Sequence, residues 1–541
     1  MTVSASLKRF PRWTMRKKRS STPRGKLTVR RWARLVWAAV GYLGLGLTGG
    51  RFLIGSLAIA EGEDVVRTPS AGSGSPSPSI RDSRWPLLLV DTTQVAVNEG
   101  VSLTVCEAVK HPDNPVLRFG PPGAPDAENV QLGGVHFIDG RFRMWYWTLP
   151  AGQIAYAESD DGVHWVRPHL GLATYRGSKK NNLVPGLVTG IVYYDRSDPD
   201  RPFKAPVPKG NPRAGYRHSL WTWAWSSDGL RWHVVDRPLP TRWVDAEGQI
   251  LTRVGDRWVI YAQGLTPAGG RVVRAFHSPR LDRPFWEWDG FTIWTYHDKY
   301  RYYQTHGAVS PWPRPGLTLG LCGQFLDRHE LEDTRVDLGL LLSHDGLSWW
   351  EPWPLATILR RGNAGEWDST FLLQGYPPFV NVGDKTFLYY SGSPRGNETG
   401  GMQIGLATLR RDGFGYLAID IGWTYTRPGP RTGAFVTVPI RLHDKRTERV
   451  LLNLDNVHAR LDRWVKVELL DRQGRPIPGY TLADADPITT EGIAVPATWH
   501  GRASLEHVPA DIVRLRVQLH GGRYRAESPR VYAIYFTPPA D

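Results

Sequence analysis

Only two cysteines, Cys106 and Cys322, occur in 541 residues. That excludes a disulfide-built scaffold and a multi-cysteine metal centre, and leaves either one bridge in an oxidising compartment or two buried apolar thiols. Long amphipathic helices are missing beyond position 60, which argues against helical bundles and doubly wound α/β folds. No C-x-x-C, H-E-x-x-H, G-x-x-x-x-G-K or G-x-S-x-G phrase occurs, so zinc, nucleotide and serine-hydrolase chemistries lack their mechanical parts. Acidic residues are absent from positions 1–34, which hold twelve Lys or Arg. The formal charge of +15 therefore falls to +3 beyond position 34, and the basic balance describes a leader rather than a nucleic-acid-binding face.

That leader passes through Arg30-Arg31 into an uncharged apolar stretch at 35–50, short for a membrane span and suited to a signal-peptide core. Ala58-Ile59-Ala60 offers a cleavage site, while Arg51 also permits an uncleaved anchor across 35–60. Residues 1–60 are read as a leader and 61–85 as a Pro/Ser/Gly-rich linker. Either way the protein is expected to be exported, periplasmic, extracellular or at the cell surface, touching membrane only through that anchor.

What is abundant is aromatic and turn-forming: 24 Trp, 21 Tyr, 16 Phe, 57 Gly and 43 Pro. Such a composition suits many short strands joined by turns, an all-β chain. One phrase, S-x-D-G-x-x-W, occurs three times, at 159–165, 226–232 and 343–349, each after an apolar or aromatic run. Asp bonds its own following backbone and Gly accepts positive φ, so each is a tight turn ending a strand. Around these turns the chain divides into five similar strand-rich units. The third carries a diverged turn, Ser278-Pro279-Arg280, and the fifth ends in Arg411-Asp412-Gly413-Phe414. Five radially packed units predict a five-bladed β-propeller over 86–417; a large β-sandwich or β-helix is the alternative. Beyond it, alternating strands and the Asp471–Gly474 turn predict an accessory β-sandwich over 418–541.

In a propeller the innermost strands converge on one funnel, so acids at their upstream ends meet there. Three i, i+2 acid pairs stand at such points: Asp126/Glu128, Asp245/Glu247 and Glu366/Asp368. Paired carboxylates suit glycosidic cleavage, one protonating the leaving oxygen and the other acting as nucleophile or activating water. The competing reading makes these acids loop caps or Arg partners. Trp145 and Trp367 offer flat faces for sugar rings. His306 is placed to bind a substrate hydroxyl or a central ion such as calcium, or else is a buried hydrogen-bonded histidine.

The segments Leu87-Leu88-Leu89-Val90-Asp91, His111-Pro112-Asp113-Asn114, Phe142-Arg143-Met144-Trp145-Tyr146, Glu366-Trp367-Asp368-Ser369 and Tyr389-Tyr390-Ser391-Gly392 resemble the five-bladed propellers of glycoside hydrolase families 32, 43 and 68. The S-x-D-G-x-x-W turns are similar to the Asp-box of sialidases, one residue shorter between Asp and Gly, and read as fasteners. The resemblance implies a base or nucleophile at Asp126 or Glu128 and a general acid at Glu247, with a carbohydrate substrate. It also implies a supporting Asp on the second blade, for which 186–194 supplies no acid; Asp368 is the substitute. Asp245, Glu366, Trp145, Trp367 and His306 are the expected substrate-binding residues. The second expectation, from another class, is a non-catalytic carbohydrate-binding propeller of the cell envelope.

Overall fold

The computed structural model describes residues 80–209, 220–236, 247–265, 271–283, 285–287, 293–294, 305–327, 335–354, 356–395, 401–421, 431–522 and 524–539. The leader and most of the linker lie outside them. Among the described residues there is no α-helix, and no helix is long and apolar enough to cross a membrane. The chain is all-β, as its turn-rich, aromatic composition predicts.

Between residues 109 and 410 the strands form five antiparallel units. Three are separate four-stranded sheets: Asn129–Ile138 to Leu183–Val184, Tyr193–Tyr194 to His233–Val234, and Glu247–Val254 to Trp286–Glu287. The fourth runs from Thr305–Arg314 through Leu317–Asp327 and Arg335–Ser343 to Trp349–Trp350, and the single pair Val336–Phe371 joins it to the fifth. The fifth pairs Phe371–Gln374, Lys385–Ser393 and Gln403–Arg410, and its last strand is Val109–Lys110, drawn from ahead of the first unit.

The central strands of these units are buried on both faces. In Arg141–Leu149, Phe142, Met144 and Tyr146 enter a cluster with Tyr389 and Leu406 of the fifth unit, while Trp145 enters one with Phe203 of the second. Arg335–Ser343 reads as a nearly continuous apolar run for the same reason: Leu338, Leu340 and Leu342 face one cluster and Leu341 another.

The repeated phrase fastens neighbouring sheets. Within each turn the Asp Oδ1 accepts the backbone N–H groups two and three residues later at 2.7–2.8 Å, in Asp161, Asp228 and Asp345 alike. The Ser Oγ accepts the Gly N–H at 2.8–2.9 Å. The Gly carbonyl is thereby turned toward the preceding sheet. Gly162 O accepts from Tyr389 Oη of the fifth unit at 2.8 Å, and Gly229 O from Trp145 Nε1 of the first at 2.8 Å. Gly346 O accepts from Tyr261 Oη of the third. Where the phrase diverges, other contacts serve: Tyr193 meets Trp258 edge-on at 5.3 Å, and Arg314 lies 3.4 Å from Asp412.

The remaining strands form two six-stranded sheets around a separate core. Ile512–His520 alternates strictly, with Val513, Leu515, Val517 and Leu519 inward and Arg514, Arg516 and Gln518 outward. The chain from 81 to 105, whose residues 86–105 the sequence reading assigns to the propeller, belongs to these sheets. Leu87–Leu88 pairs with Arg530–Tyr535, Val95–Glu99 with Thr432–Thr437, and Val101–Val105 with Gly415–Ile419. Their partners lie over 300 residues away, out of reach of any local sequence pattern. Asp471–Gly474 forms the expected turn, with Gly474 N bonded to Asp471 O at 3.0 Å. Cys106 and Cys322 fall in different apolar clusters and are not bridged to each other, so the bridge alternative falls; burial pushes the Cys106 thiol up to about 12.

Two outcomes follow for the turns. Gly140, at φ 78° with open space around its Cα, tolerates Ala at a cost of about 1–2 kcal/mol of backbone strain. At Gly162, also φ 78°, a Cβ would strike Tyr389 Oη and Phe142, so Gly162→Ala loses about 1–3 kcal/mol more in urea unfolding; equal losses would remove the fastening role. Burial alone would raise the Asp161, Asp228 and Asp345 carboxyls, but the hydrogen bonds they accept outweigh it and hold all three below the usual range. Groups depressed in the fold contribute fully above the unfolded value of about 3.9 and lose that contribution as pH falls through the folded value. Tm should therefore drop on acidification below about pH 4, with a smaller drop in Asp345→Asn.

Candidate functional site

The upstream ends of the innermost strands carry the predicted acids. Glu128 directly precedes Asn129–Ile138, its N–H bonded to Leu149 O at 2.9 Å, and its side chain is exposed. Glu247 opens Glu247–Val254, paired with Gln263, and His306 is the second residue of Thr305–Arg314, paired with Gly323. The side chains of Glu247 and His306 lie outside the described residues, as does Asp245 entirely. Glu366 is exposed in the loop before Phe371–Gln374. Asn363 donates to it from its side chain (3.1 Å) and backbone (2.7 Å), which lowers the Glu366 carboxyl below its ordinary range.

Asp126 and Asp368 differ from these. Each is 1 % exposed. Asp126 Oδ2 accepts from Tyr146 Oη at 3.0 Å and from Arg167 Nε at 2.7 Å. Asp368 Oδ2 accepts from Tyr390 Oη at 2.9 Å and Lys110 Nζ at 2.5 Å. Each tyrosine hydroxyl also accepts from an asparagine, Asn182 Nδ2 at 2.7 Å and Asn114 Nδ2 at 3.2 Å. These asparagines in turn bond the carbonyls of Tyr156 and Leu406, both at third-strand positions. The cations are equivalent too: Val166 bridges Glu158 and Val109 bridges Thr408, and Arg167 and Lys110 come one residue later. The first and fifth units therefore hold the same four-residue cluster, Asp–Tyr–Asn–cation.

This corrects the reading of Asp126 and Asp368 as catalytic groups. A nucleophile or base must reach a substrate atom, and these carboxylates are enclosed and already paired. Their i, i+2 neighbours explain the misreading: alternation in extended chain sends both residues to one side, but Asp126 and Asp368 sit in turns ahead of the strands. In both turns a glycine six positions upstream, Gly120 or Gly362, donates its N–H to the Asp carbonyl, and a Cβ there would strike the Asp carboxylate.

Trp145 is also corrected. It is 0 % exposed, spends its indole N–H on Gly229, and has no face for a sugar. Trp367 is half-buried and stacks on Tyr390 at 5.7 Å and 26°, beside the exposed Glu366. The sequence reading missed Lys110, Arg167, Asn114, Asn182 and the roles of Tyr146 and Tyr390. Their signal was a second, fainter repeat: Gly-x5-Asp before the first strand, an aromatic-Tyr step in the second, and Val-Arg or Val-Lys and Asn-x-Val in the last.

The middle of the inner strands closes the space between these ends. Gly133 and Gly190 approach so closely that a Cβ on Gly133 would overlap Gly190, and a Cβ on Gly134 would overlap Tyr376 O. Gly133 O accepts from Tyr376 N at 2.8 Å and Gly375 O from Ser310 Oγ at 2.6 Å. Among the described residues no group of three or more His, Cys, Asp or Glu side chains is arranged to hold a metal.

The paired clusters make a stability prediction. Asp126→Ala and Asp368→Ala each leave a buried tyrosine hydroxyl and a cation short of a partner, costing about 1–3 kcal/mol in chemical denaturation. Unchanged or raised stability, the usual result of removing a strained catalytic carboxylate, would restore them as active-site groups.

No protein-family profile matches the sequence, and no curated protein matches it. Solved structures similar to it include glycoside hydrolases. One described as a glycoside hydrolase is 15 % identical with a TM-score of 0.39, covering 56 % of this chain and 94 % of its own. A glycosyl hydrolase from Bacteroides ovatus is 12 % identical with a TM-score of 0.40, covering 57 % and 94 %. A thermostable family-43 glycoside hydrolase is 14 % identical with a TM-score of 0.38, covering 58 % and 99 %.

Proposed function

We propose that the five units are the blades of one propeller carrying a C-terminal β-sandwich, and that the protein is an exported glycoside hydrolase acting on a poly- or oligosaccharide. The supporting observation is the exposed Glu128 at the upstream end of the first innermost strand, with Glu247 at the corresponding end of the third. With Asp126 and Asp368 engaged in packing, Glu128 is the nucleophile or base and Glu247 the general acid. Glu128 attacks the anomeric carbon or takes a proton from water, while Glu247 protonates the departing glycosidic oxygen. Trp367 and Glu366 offer an aromatic face and a carboxylate to sugar on the fifth blade, and the basic leader directs the chain out of the cytoplasm.

The enclosure of Asp126 and Asp368 favours a second reading, a carbohydrate-binding propeller without turnover. Full-length wild type, Glu128→Gln and Glu247→Gln, assayed on a panel of oligosaccharides, separate the two. Hydrolysis by wild type, reduced about 10²–10⁴-fold in each variant with binding retained, is the expected result. Binding without turnover in wild type supports the second reading. Turnover unaffected by both substitutions removes these glutamates from the mechanism.

A further inference from the structure

At the downstream ends of the inner strands, beyond the close approach of Gly133, Gly190 and Tyr376, lies a cavity of about 310 Å³. His136, Tyr194, Arg196, Trp312, Arg314 and Phe379 are among its lining. It belongs to the opposite face from the acids: His136 and Arg314 stand at or near the last residues of Asn129–Ile138 and Thr305–Arg314, whereas Glu128 stands before the first.

Its charge is one-sided. Among the described residues, two guanidinium groups and no carboxylate line it. The buried Asp412 pairs with Arg314 at 3.4 Å and also accepts from Asn381 and Tyr535 at 2.9 Å each, so the uncompensated charge of the lining is that of Arg196. Asp195, beside Arg196 in the chain, is occupied by Lys204 at 3.0 Å and by Ser197. Arg196 is exposed and forms no ion pair among the described residues. The Arg314 guanidinium rests over the Trp312 ring at 4.6 Å, which fixes its plane, and Trp312 is braced edge-on by Phe379 at 5.6 Å.

The polar wall suits hydroxyl groups. His136 Nε2 lies 2.7 Å from Val192 O, which assigns the proton to Nε2 and leaves Nδ1 an acceptor. Burial pushes this imidazole down to about 4, so it stays neutral around pH 7. The volume lies at the lower end of the ~300–1,000 Å³ of small-molecule sites, sufficient for one small ligand or a chain end.

We propose that this cavity is a second binding site, taking a small sugar acid whose carboxylate or phosphate is held by Arg196 and Arg314 and whose ring packs on the aromatic wall. The site is independent of glycosidic cleavage at the opposite face.

The test is calorimetric titration of the full-length protein with glucuronate, glucose 6-phosphate, glucose and inorganic phosphate. At least one sugar acid should bind ten-fold or more tighter than glucose and than inorganic phosphate, the preferred one showing which anion the site takes. Arg196→Ala should weaken that binding at least ten-fold with an unchanged Tm, because Arg196 is exposed and forms no ion pair among the described residues, and Arg196→Lys by less. Glucose binding as tightly as the acids would remove the anion site, and inorganic phosphate binding as tightly would remove the sugar. Absence of binding by every probe, or unchanged affinity in Arg196→Ala, would overturn the proposal.

Discussion

The carbonyl of a turn glycine, pointed backward into the neighbouring sheet, is the interaction on which the repeat region depends. A sheet buried on both faces cannot be soluble alone, and packing apolar faces together leaves sliding and rotation unrestrained. A directional hydrogen bond from Tyr389, Trp145 or Tyr261 to Gly162, Gly229 or Gly346 supplies a register that dispersion does not. The residue must be glycine both for its positive φ and because the donor ring occupies the space of a side chain at Gly162 and Gly229. At Gly346 the crowding comes from Val254.

The second recurring device works one level further in. In the Asp–Tyr–Asn–cation clusters a single carboxylate ties the loop ahead of an innermost strand to the second, third and outermost strands of the same unit. Lys110 belongs to the strand that completes the fifth sheet, so the pairing of Val109–Lys110 with Gln403–Arg410 also fixes the loop bearing Glu366 and Trp367. The loops that bear Glu128 and Glu366 are thereby tied to the sheets behind them.

Much of this was legible. Strand–turn–strand periodicity, the three turn phrases and the diverged Ser278–Arg280 turn located the units, because their spacing follows directly from local backbone chemistry. The acids were located as positions but not as roles. Asp126 and Glu128 are two residues apart, yet one is enclosed and the other exposed, and only the distant Tyr146 and Arg167 decide which. Trp145 failed for the same reason: a sequence records that an aromatic ring is present, not that Gly229 lies over it. The partners of 81–105 were hidden because strand alternation specifies a face, never a neighbour.

The placement of those early strands has a consequence for the order of synthesis. Val101–Val105 and Val109–Lys110 emerge from the ribosome long before their partners Gly415–Ile419 and Gln403–Arg410 exist. At roughly 5–20 residues per second, the interval is on the order of tens of seconds. During that time the early segment carries unpaired strand edges, and neither the fifth sheet nor the C-terminal sheets can be completed. The fold is thus closed by an early and a late segment at once, and removing either 101–110 or 403–419 opens the same two seams.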